Sequence, residues 1–560
     1  MAECSVVEKI SPVQQIEEKP ENGLKGLKHW RQDLLAGLVV ALVSVPLSLG
    51  IAIASGAPPI CGITSEIIAG LVFPFLGGAY MTVSGPAAGL APVILSSMLQ
   101  LGHGDTALGY HRIVCVFMMV GVLQLALTYL KAAKFSHLFP SAAIQGMLAS
   151  IGLMLVMKQM PNFLGQKFHG HEFFEMAAEI PARLAQVNFT VLALSGFCLA
   201  LLFVLNAVKS RWIKIVPAQL IVVVVGAAIG AAINIDPKFL VHAPSNPFEH
   251  GFVMPDFAAL FADRSIWGAV FSCTLLLAFV DGTESLATIH AVDRIDPFHR
   301  KSSPDRTLMA MGISNICSSL IGGLTIIPGI IKSTTCIVSG GRTAWVNFYN
   351  ALFLIAFLIF GASLIDRIPL AALSAVLVHI GYKLAGPHKW KYVSSIGVEQ
   401  LAIFVVTILV TLKTDLMFGI FAGMGVKLLI VLFYARKAAS VSSLALLFTS
   451  IFKNPVVDVQ RNKETYRVRV EGPLTCFNSL CLRQSLDHLP EGVSHLRLEI
   501  GPTVSVVDHS VNLYLYTHKG DLARASVQMD IVGLDALRAN SSESTSFKFR
   551  EMASANAWSH

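Results

Sequence analysis

The chain has 560 residues, 54% of them hydrophobic and only 14% charged. Soluble domains carry about a quarter charged residues, so a single soluble core, a disordered chain and a coiled coil are all excluded. The long apolar runs instead imply a chain that crosses a membrane many times. The net charge of +7 fits basic cytoplasmic loops, with no nucleic-acid partner. The nine cysteines are scattered and form no Cys-x-x-Cys, so neither a zinc site nor a redox pair is suggested.

Residues 1–32 are polar and lack a signal-peptide apolar core, as in a cytoplasmic tail. Apolar segments of spanning length then begin near Leu34, Pro59, Ile113, Ala142, Phe189, Val216, Ile266, Leu308, Trp345, Pro369, Gln400 and Asp415. Two shorter ones stand apart: TVSGPAAGLAPVILSSM from Thr82 and LTIIPGIIKSTTCIVSGG from Leu324. Together they make about fourteen segments. An even count puts both termini on one side. Basic clusters at Lys25, Lys28 and Arg31, at Arg300, Lys301 and Arg306, and at Arg436 and Lys437 put that side in the cytoplasm. Residues 293–306, DRIDPFHRKSSPDR, read as a solvated inner loop.

The two short segments are broken by Gly85-Pro86 and Pro328-Gly329 and occupy corresponding places in two halves of the chain. Interrupted segments at matching positions suggest an inverted repeat with a binding site at its interface. Unwound backbone at that depth survives only where it lines a cavity. Each half-helix would offer a partial positive charge and free N–H donors to an anion. Ser84, Gly85, Pro86 and Ala87 are expected to open one half-helix, and Gly329, Ile330, Ile331, Lys332 and Ser333 the other. Lys332 adds a full positive charge, for a ligand or for an acid that holds the fold.

Asp281 and Glu284 lie at i and i+3 in the eighth segment, on one helical face with Thr288. Glu284 and Thr288 offer oxygens to Na⁺, or one titratable group to H⁺; a salt bridge to Lys332 is the structural alternative. Asp281 is the better candidate for holding a neighbouring helix. Glu66, in the second segment, is either a second proton group or a residue of the external mouth. No nucleophile, metal or nucleotide motif occurs, so the chain does not read as an enzyme, and gradients would drive transport without a bound cofactor.

These residues carry a family resemblance. DLLAGLVVALVSVPLSLGIAIASGAPPICGI (33–63), VSGPAAG (83–89), the stretch 284–323 and IIKSTTCIVSGGRT (330–343) resemble the SulP sulfate permease family, over residues 33–438. The resemblance implies about fourteen transmembrane segments in a seven-plus-seven inverted repeat of core and gate domains, and the mechanism expected of such a pair is an elevator. It also implies a homodimer in the cell membrane. By the same motifs it places the first-helix lining at Ser44, Leu47 and Ile51, the third-helix lining at Ala87, and a Na⁺-binding pair at Glu284 and Thr288. Ala87 stands where the bicarbonate-carrying branch has a threonine.

Charge becomes dense from Pro455 onward, with 11 basic and 12 acidic residues in the last 106. Alternating strand and helix patterns there imply a small α/β unit with a mostly parallel sheet. Residues 455–540 resemble the STAS domain that closes most members of the family, and VVDHS (506–510) resembles its phosphoserine loop. His509 departs from that serine-rich loop and argues against a phospho-switch at Ser510. The serine-rich residues 541–560 read as a disordered tail.

The expected function is secondary transport of an inorganic anion, sulfate or bicarbonate, coupled to Na⁺ or H⁺. An exchanger or channel for chloride or dicarboxylates, and a transport-dead receptor, are the alternatives.

Overall fold

The computed structural model describes residues 19–131, 138–170, 172–208, 218–241, 253–360, 366–414, 416–438, 444–462, 464–487, 489–490, 492–524 and 526–551. Most of the expected N-terminal tail and the last nine residues lie outside them.

The membrane part comprises α1 (Trp30–Ala54), α2 (Pro59–Leu76), β1 (Val83–Pro86), α3 (Ala91–Leu101), α4 (Thr106–Tyr129), α5 (Ser141–Leu164), α6 (Phe173–Leu184), α7 (Phe189–Ala207) and α8 (Ala218–Ala232). It continues with α9 (Trp267–Ile295), α10 (Pro304–Leu320), β2 (Ile326–Gly329), α11 (Ile330–Val338), α12 (Trp345–Phe360), α13 (Leu370–Ala385), α14 (Pro387–Ile396), α15 (Val398–Lys413) and α16 (Leu416–Ala438). Eight helices among the described residues are long and apolar enough to cross a membrane, with α3, α8 and α12 as shorter apolar helices. Prolines mark helix starts where the missing N–H costs nothing, as at Pro59, Pro92, Pro304 and Pro387.

The helices form two groups. In one, α1 packs on α2 and α12, α2 on α12, and α4 on α10; in the other, α5 packs on α13 and α15, and α7 on α13. Glycines bring the central crossings close. A Cβ on Gly121 of α4 would lie 2.7 Å from the Gly312 carbonyl of α10, and one on Gly152 of α5 would lie 2.7 Å from the Gly381 carbonyl of α13. Small residues at such crossings let helix backbones meet where apolar burial gives no drive for association.

The loop after α9 is less solvated than its composition suggests. Arg300 and Asp296 form a buried pair 2.8 Å apart. The guanidinium also donates to the carbonyls of Pro20 and Arg342 and lies over the Tyr80 ring. A planar guanidinium with five donors can satisfy all of these at once. It therefore ties the N-terminal segment to this loop.

After α17 (Leu444–Phe452) comes an α/β unit: β3 (Val456–Asn462), β4 (Thr465–Val470), α18 (Ser479–Asp487), β5 (His495–Ile500), β6 (Val506–Val507), α19 (His509–Arg524) and β7 (Gln528–Val532). Strands β4, β5 and β7 are parallel, and β3 is antiparallel at the edge. Val468, Leu496 and Leu498 pack with Leu482 and Leu515 in its core. The tail expected to be disordered from residue 541 is ordered as far as Glu551. There β9 (Lys548–Phe549) pairs with β6 and with β8 (Arg538–Ala539). Phe547 and Phe549 lie against Tyr434 of α16. Burial of these aromatics outweighs the polar composition around them.

Candidate functional site

The two interrupted segments cross as short strands. β1 and β2 are antiparallel, with Val83 opposite Gly329 and Pro86 opposite Ile326. Each strand ends in a proline dipeptide that favours extended backbone before it. α11 follows β2 directly, and residues 87–90 separate β1 from α3. α11 opens at Ile330, as expected. α3 does not open at Ser84: Ser84, Gly85 and Pro86 are strand, Ala87 lies in a turn, and the helix begins at Ala91. Pro86 belongs to the strand, and Pro92 is the proline that starts the helix.

Polar side chains fix this crossing. Asn347 of α12 donates to the Thr82 carbonyl at 2.8 Å and accepts from the Ser84 N–H at 3.0 Å. Ser333 accepts from the Val83 N–H at 2.9 Å and donates to the Gly329 carbonyl at 2.7 Å. Asn315 of α10 accepts from the Ile326 N–H at 2.7 Å. The Ser84 N–H and the Ser333 hydroxyl are thus engaged in holding the backbone. The Ser84 hydroxyl, by contrast, is buried with no hydrogen-bond partner among the described residues.

Lys332 is buried and pairs with Glu66, Nζ to Oε2 at 2.8 Å. Its partner is therefore on α2, and the alternative of a salt bridge to the acids of α9 does not hold. Ser44 and Ser48 of α1 also donate to the Glu66 carboxylate, and Asn350 of α12 donates to it at 3.0 Å. Ser44, expected as lining by resemblance, is thus a ligand of Glu66. A Cβ on Gly85 would lie 2.6 Å from Lys332 Nζ and 3.2 Å from the Glu66 carboxyl carbon. The glycine makes room for this ion pair. A buried pair of this kind holds only when its remaining donors and acceptors are satisfied, which the two serines and Asn350 accomplish.

The acids of α9 lie on the other side of the turn after β1. A Cβ on Gly89 would lie 2.7 Å from Glu284 Oε2, so this second glycine admits the Glu284 carboxylate. Glu284 Oε2 is buried and has no hydrogen-bond partner among the described residues. Thr288, one turn on, is buried. Asp281 accepts from Gln124 of α4 at 3.1 Å and Asn315 at 3.3 Å, so it joins α9 to α4 and α10. An unpartnered carboxylate oxygen suits a proton as it stands. A cation such as Na⁺ needs several oxygens, which Thr288 and backbone carbonyls would have to supply, because Ala87 has none in its side chain.

Leu47, Ile51 and Ala87 are buried in one apolar core, with Ile331 packed against it. The sequence-expected residues therefore separate into three sets: an apolar wall, a lysine already paired, and an acid whose Oε2 has no hydrogen-bond partner among the described residues. Asn347, Asn350, Asn315 and Gln124 were not expected. Their signal was available, since uncharged amides within apolar spans are costly unless bonded.

Against known proteins, the sulfate permease family model matches residues 30–408. A putative sulfate transporter YvdB of Bacillus subtilis (strain 168) is 23% identical over 91% of this chain and 92% of its own length. The bicarbonate transporter BicA of Picosynechococcus is 26% identical over 71% of this chain and 69% of its own. Among solved structures, the transmembrane domain of a cyanobacterial BicA superposes with TM-score 0.62 at 22% identity, covering 71% of this chain and 97% of that one. The overall structure of SLC26A9 gives TM-score 0.63 at 18% identity, over 90% and 84%. These likenesses show the same polytopic helical transporter fold. The chain belongs to the sulfate permease family of membrane anion transporters.

Proposed function

We propose that this chain is a secondary active transporter that carries an inorganic anion, sulfate or bicarbonate, across the cell membrane, coupled to H⁺ or Na⁺ at Glu284. One observation carries the reading most. Two antiparallel strands lie just before α3 and α11, with the Lys332 ammonium at Gly85 and, at Gly89, the Glu284 Oε2 atom that has no hydrogen-bond partner among the described residues. Helix ends and a lysine favour an anion there, and an unpartnered acid favours a cation carried with it.

The mechanism proposed is an elevator. The α1–α4 and α9–α12 group carries the ion against the α5–α8 and α13–α16 group, exposing the site to each side in turn. The reciprocal packing of α2 on α12 and α4 on α10 supports a seven-plus-seven inverted repeat. About fourteen segments, cytoplasmic termini, a STAS-type C-terminal unit and a homodimer complete the reading.

The test is uptake of radiolabelled sulfate or bicarbonate into proteoliposomes under imposed H⁺ or Na⁺ gradients, with a Glu284→Gln variant beside the wild type. Gradient-driven flux of either anion, with gradient dependence lost in the variant, is the expected result. Flux of neither anion under any gradient removes the carrier reading.

A further inference from the structure

The sequence places Lys332 in the site as an anion ligand, yet its ammonium is held by Glu66 at 2.8 Å, with both side chains buried. A lysine so paired is not available to an anion. Adding an anion beside the intact pair would leave a net negative charge in a low-dielectric setting, which is expensive. A proton on Glu66 removes that charge and releases the lysine together.

We propose that Glu66 is the positioning residue of the anion site: it holds Lys332 when no anion is bound, and takes up a proton when an anion replaces it. This rests on the anion-carrier reading above. In the step, a proton from the bathing solution adds to Glu66 Oε2 as the Lys332 contact breaks. The Lys332 N–H groups then turn to the incoming anion. No other bond changes.

The surroundings suit both protonation states. In the charged state the carboxylate receives Ser44, Ser48, Asn350 and Lys332. In the neutral state the acid needs an acceptor. The two hydroxyls can accept as well as donate, and Asn350 Oδ1 is buried with no hydrogen-bond partner among the described residues. Neither state would leave Glu66 stranded. Next to the pair, the Ser84 hydroxyl is also buried and unpartnered, one residue before the Gly85 that Lys332 abuts. It is a donor placed for the anion that Lys332 would receive.

The groups facing Glu66 come from each packed element. α1 brings Ser44 and Ser48, α12 brings Asn350, α11 brings Lys332, and β1 brings Gly85. β2 brings the apolar Ile326 and Ile327. α10 brings Arg306 to Gly78, beyond the far end of α2. Glu284 faces Gly89 on the other side of the turn. Among the described residues, Lys332 alone is ion-paired with Glu66.

The test measures proton uptake by the purified full-length protein in weakly buffered detergent, read with a pH indicator, as sulfate or chloride is added. Calorimetry on the same samples gives the affinity. The comparison is made in a Glu284→Gln background, which silences the coupling acid proposed above. That protein should take up close to one proton per anion bound, and its affinity should weaken about tenfold per pH unit on the alkaline side. Adding Glu66→Gln should give anion binding with affinity flat in pH and no proton uptake, and Glu66→Asp in its place should restore the uptake. Binding by the Glu284→Gln protein without proton uptake overturns the inference, as does uptake that persists once Glu66→Gln is added. If the double variant fails to fold, the proton count of the Glu284→Gln protein decides by itself. Absence of any anion binding by the wild type would instead overturn the anion-carrier reading on which this one rests.

Discussion

Lys427, midway along α16, and Asp508, just before α19 of the C-terminal unit, form an ion pair 3.4 Å apart with neither side chain exposed. Asp508 also accepts from the N–H groups of Cys476 and Val511, and the Lys427 ammonium lies over the Phe547 ring at 5.6 Å. The same face carries Ser510 against the start of α5, where its hydroxyl accepts from the Ser141 N–H at 3.2 Å. Asn540 adds a bond to Glu399 at 2.7 Å. The C-terminal unit is thus joined to the α5–α15–α16 group by a desolvated charge pair, amides and aromatic rings.

Removing one partner of a buried pair leaves the other charge unpaired, at a cost of about 3–5 kcal/mol. Lys427→Ala is therefore expected to lower the thermal stability of the solubilised protein and to open the 453–455 connection to protease. Replacing both partners, Lys427→Met with Asp508→Asn, should cost less than the sum of the single changes. Melting curves for wild type, Lys427→Met, Asp508→Asn and the double variant check this, and full additivity would show that the pair contributes no coupling.

Gly85 and Gly89 are four residues apart and each admits a charged group. Gly85→Ala would set a Cβ 2.6 Å from Lys332 Nζ, and Gly89→Ala one 2.7 Å from Glu284 Oε2. Such distances force the neighbour to move. Gly85→Ala should reduce anion uptake about tenfold or more by displacing the lysine. Gly89→Ala should instead weaken the dependence of uptake on the cation gradient. Proteoliposome flux with and without the gradient separates the two effects; identical behaviour of the two variants would count against separate roles.

His509 begins α19, and its Nδ1–H donates to the Thr545 carbonyl at 2.7 Å. Burial pushes its pKa below the ordinary value of 6.5, and the nearby Lys427 charge adds to this. The folded unit therefore binds a proton less readily than the unfolded chain. Stability is full above about pH 6.5 and falls as pH drops below it, because the unfolded state then takes up the proton. His509→Gln should flatten part of that fall. His518, pushed down mainly by burial as well, should keep the remainder. Melting temperatures of wild type and variant between about pH 7.5 and about pH 5.5 test this; parallel curves would assign His509 no part.

Much of this protein was written in local patterns. The apolar runs gave helix starts close to those observed, at Pro59, Phe189 and Trp345 among others, because a helix in hydrocarbon needs only length, apolarity and self-satisfied backbone. The strand and helix periods after Pro455 gave a parallel α/β unit for the same reason: the repeat of side chains along one segment sets which face is buried. The two glycine-proline breaks marked the crossing.

What the sequence could not decide was partnership. Whether Lys332 meets Glu66 or Glu284 depends on how α2 and α9 lie around one strand pair, and charge type alone is indifferent between two buried acids. Pro86 reads as part of the start of α3, yet Asn347 draws the Ser84 N–H into an extended segment from more than two hundred residues away, and the helix begins at Ala91 instead. The serine-rich tail reads as solvent-loving, yet Phe547 and Phe549 are buried against Tyr434. Sequence fixes each segment's own periodicity and polarity; only packing decides which buried charge, amide or ring each of them meets.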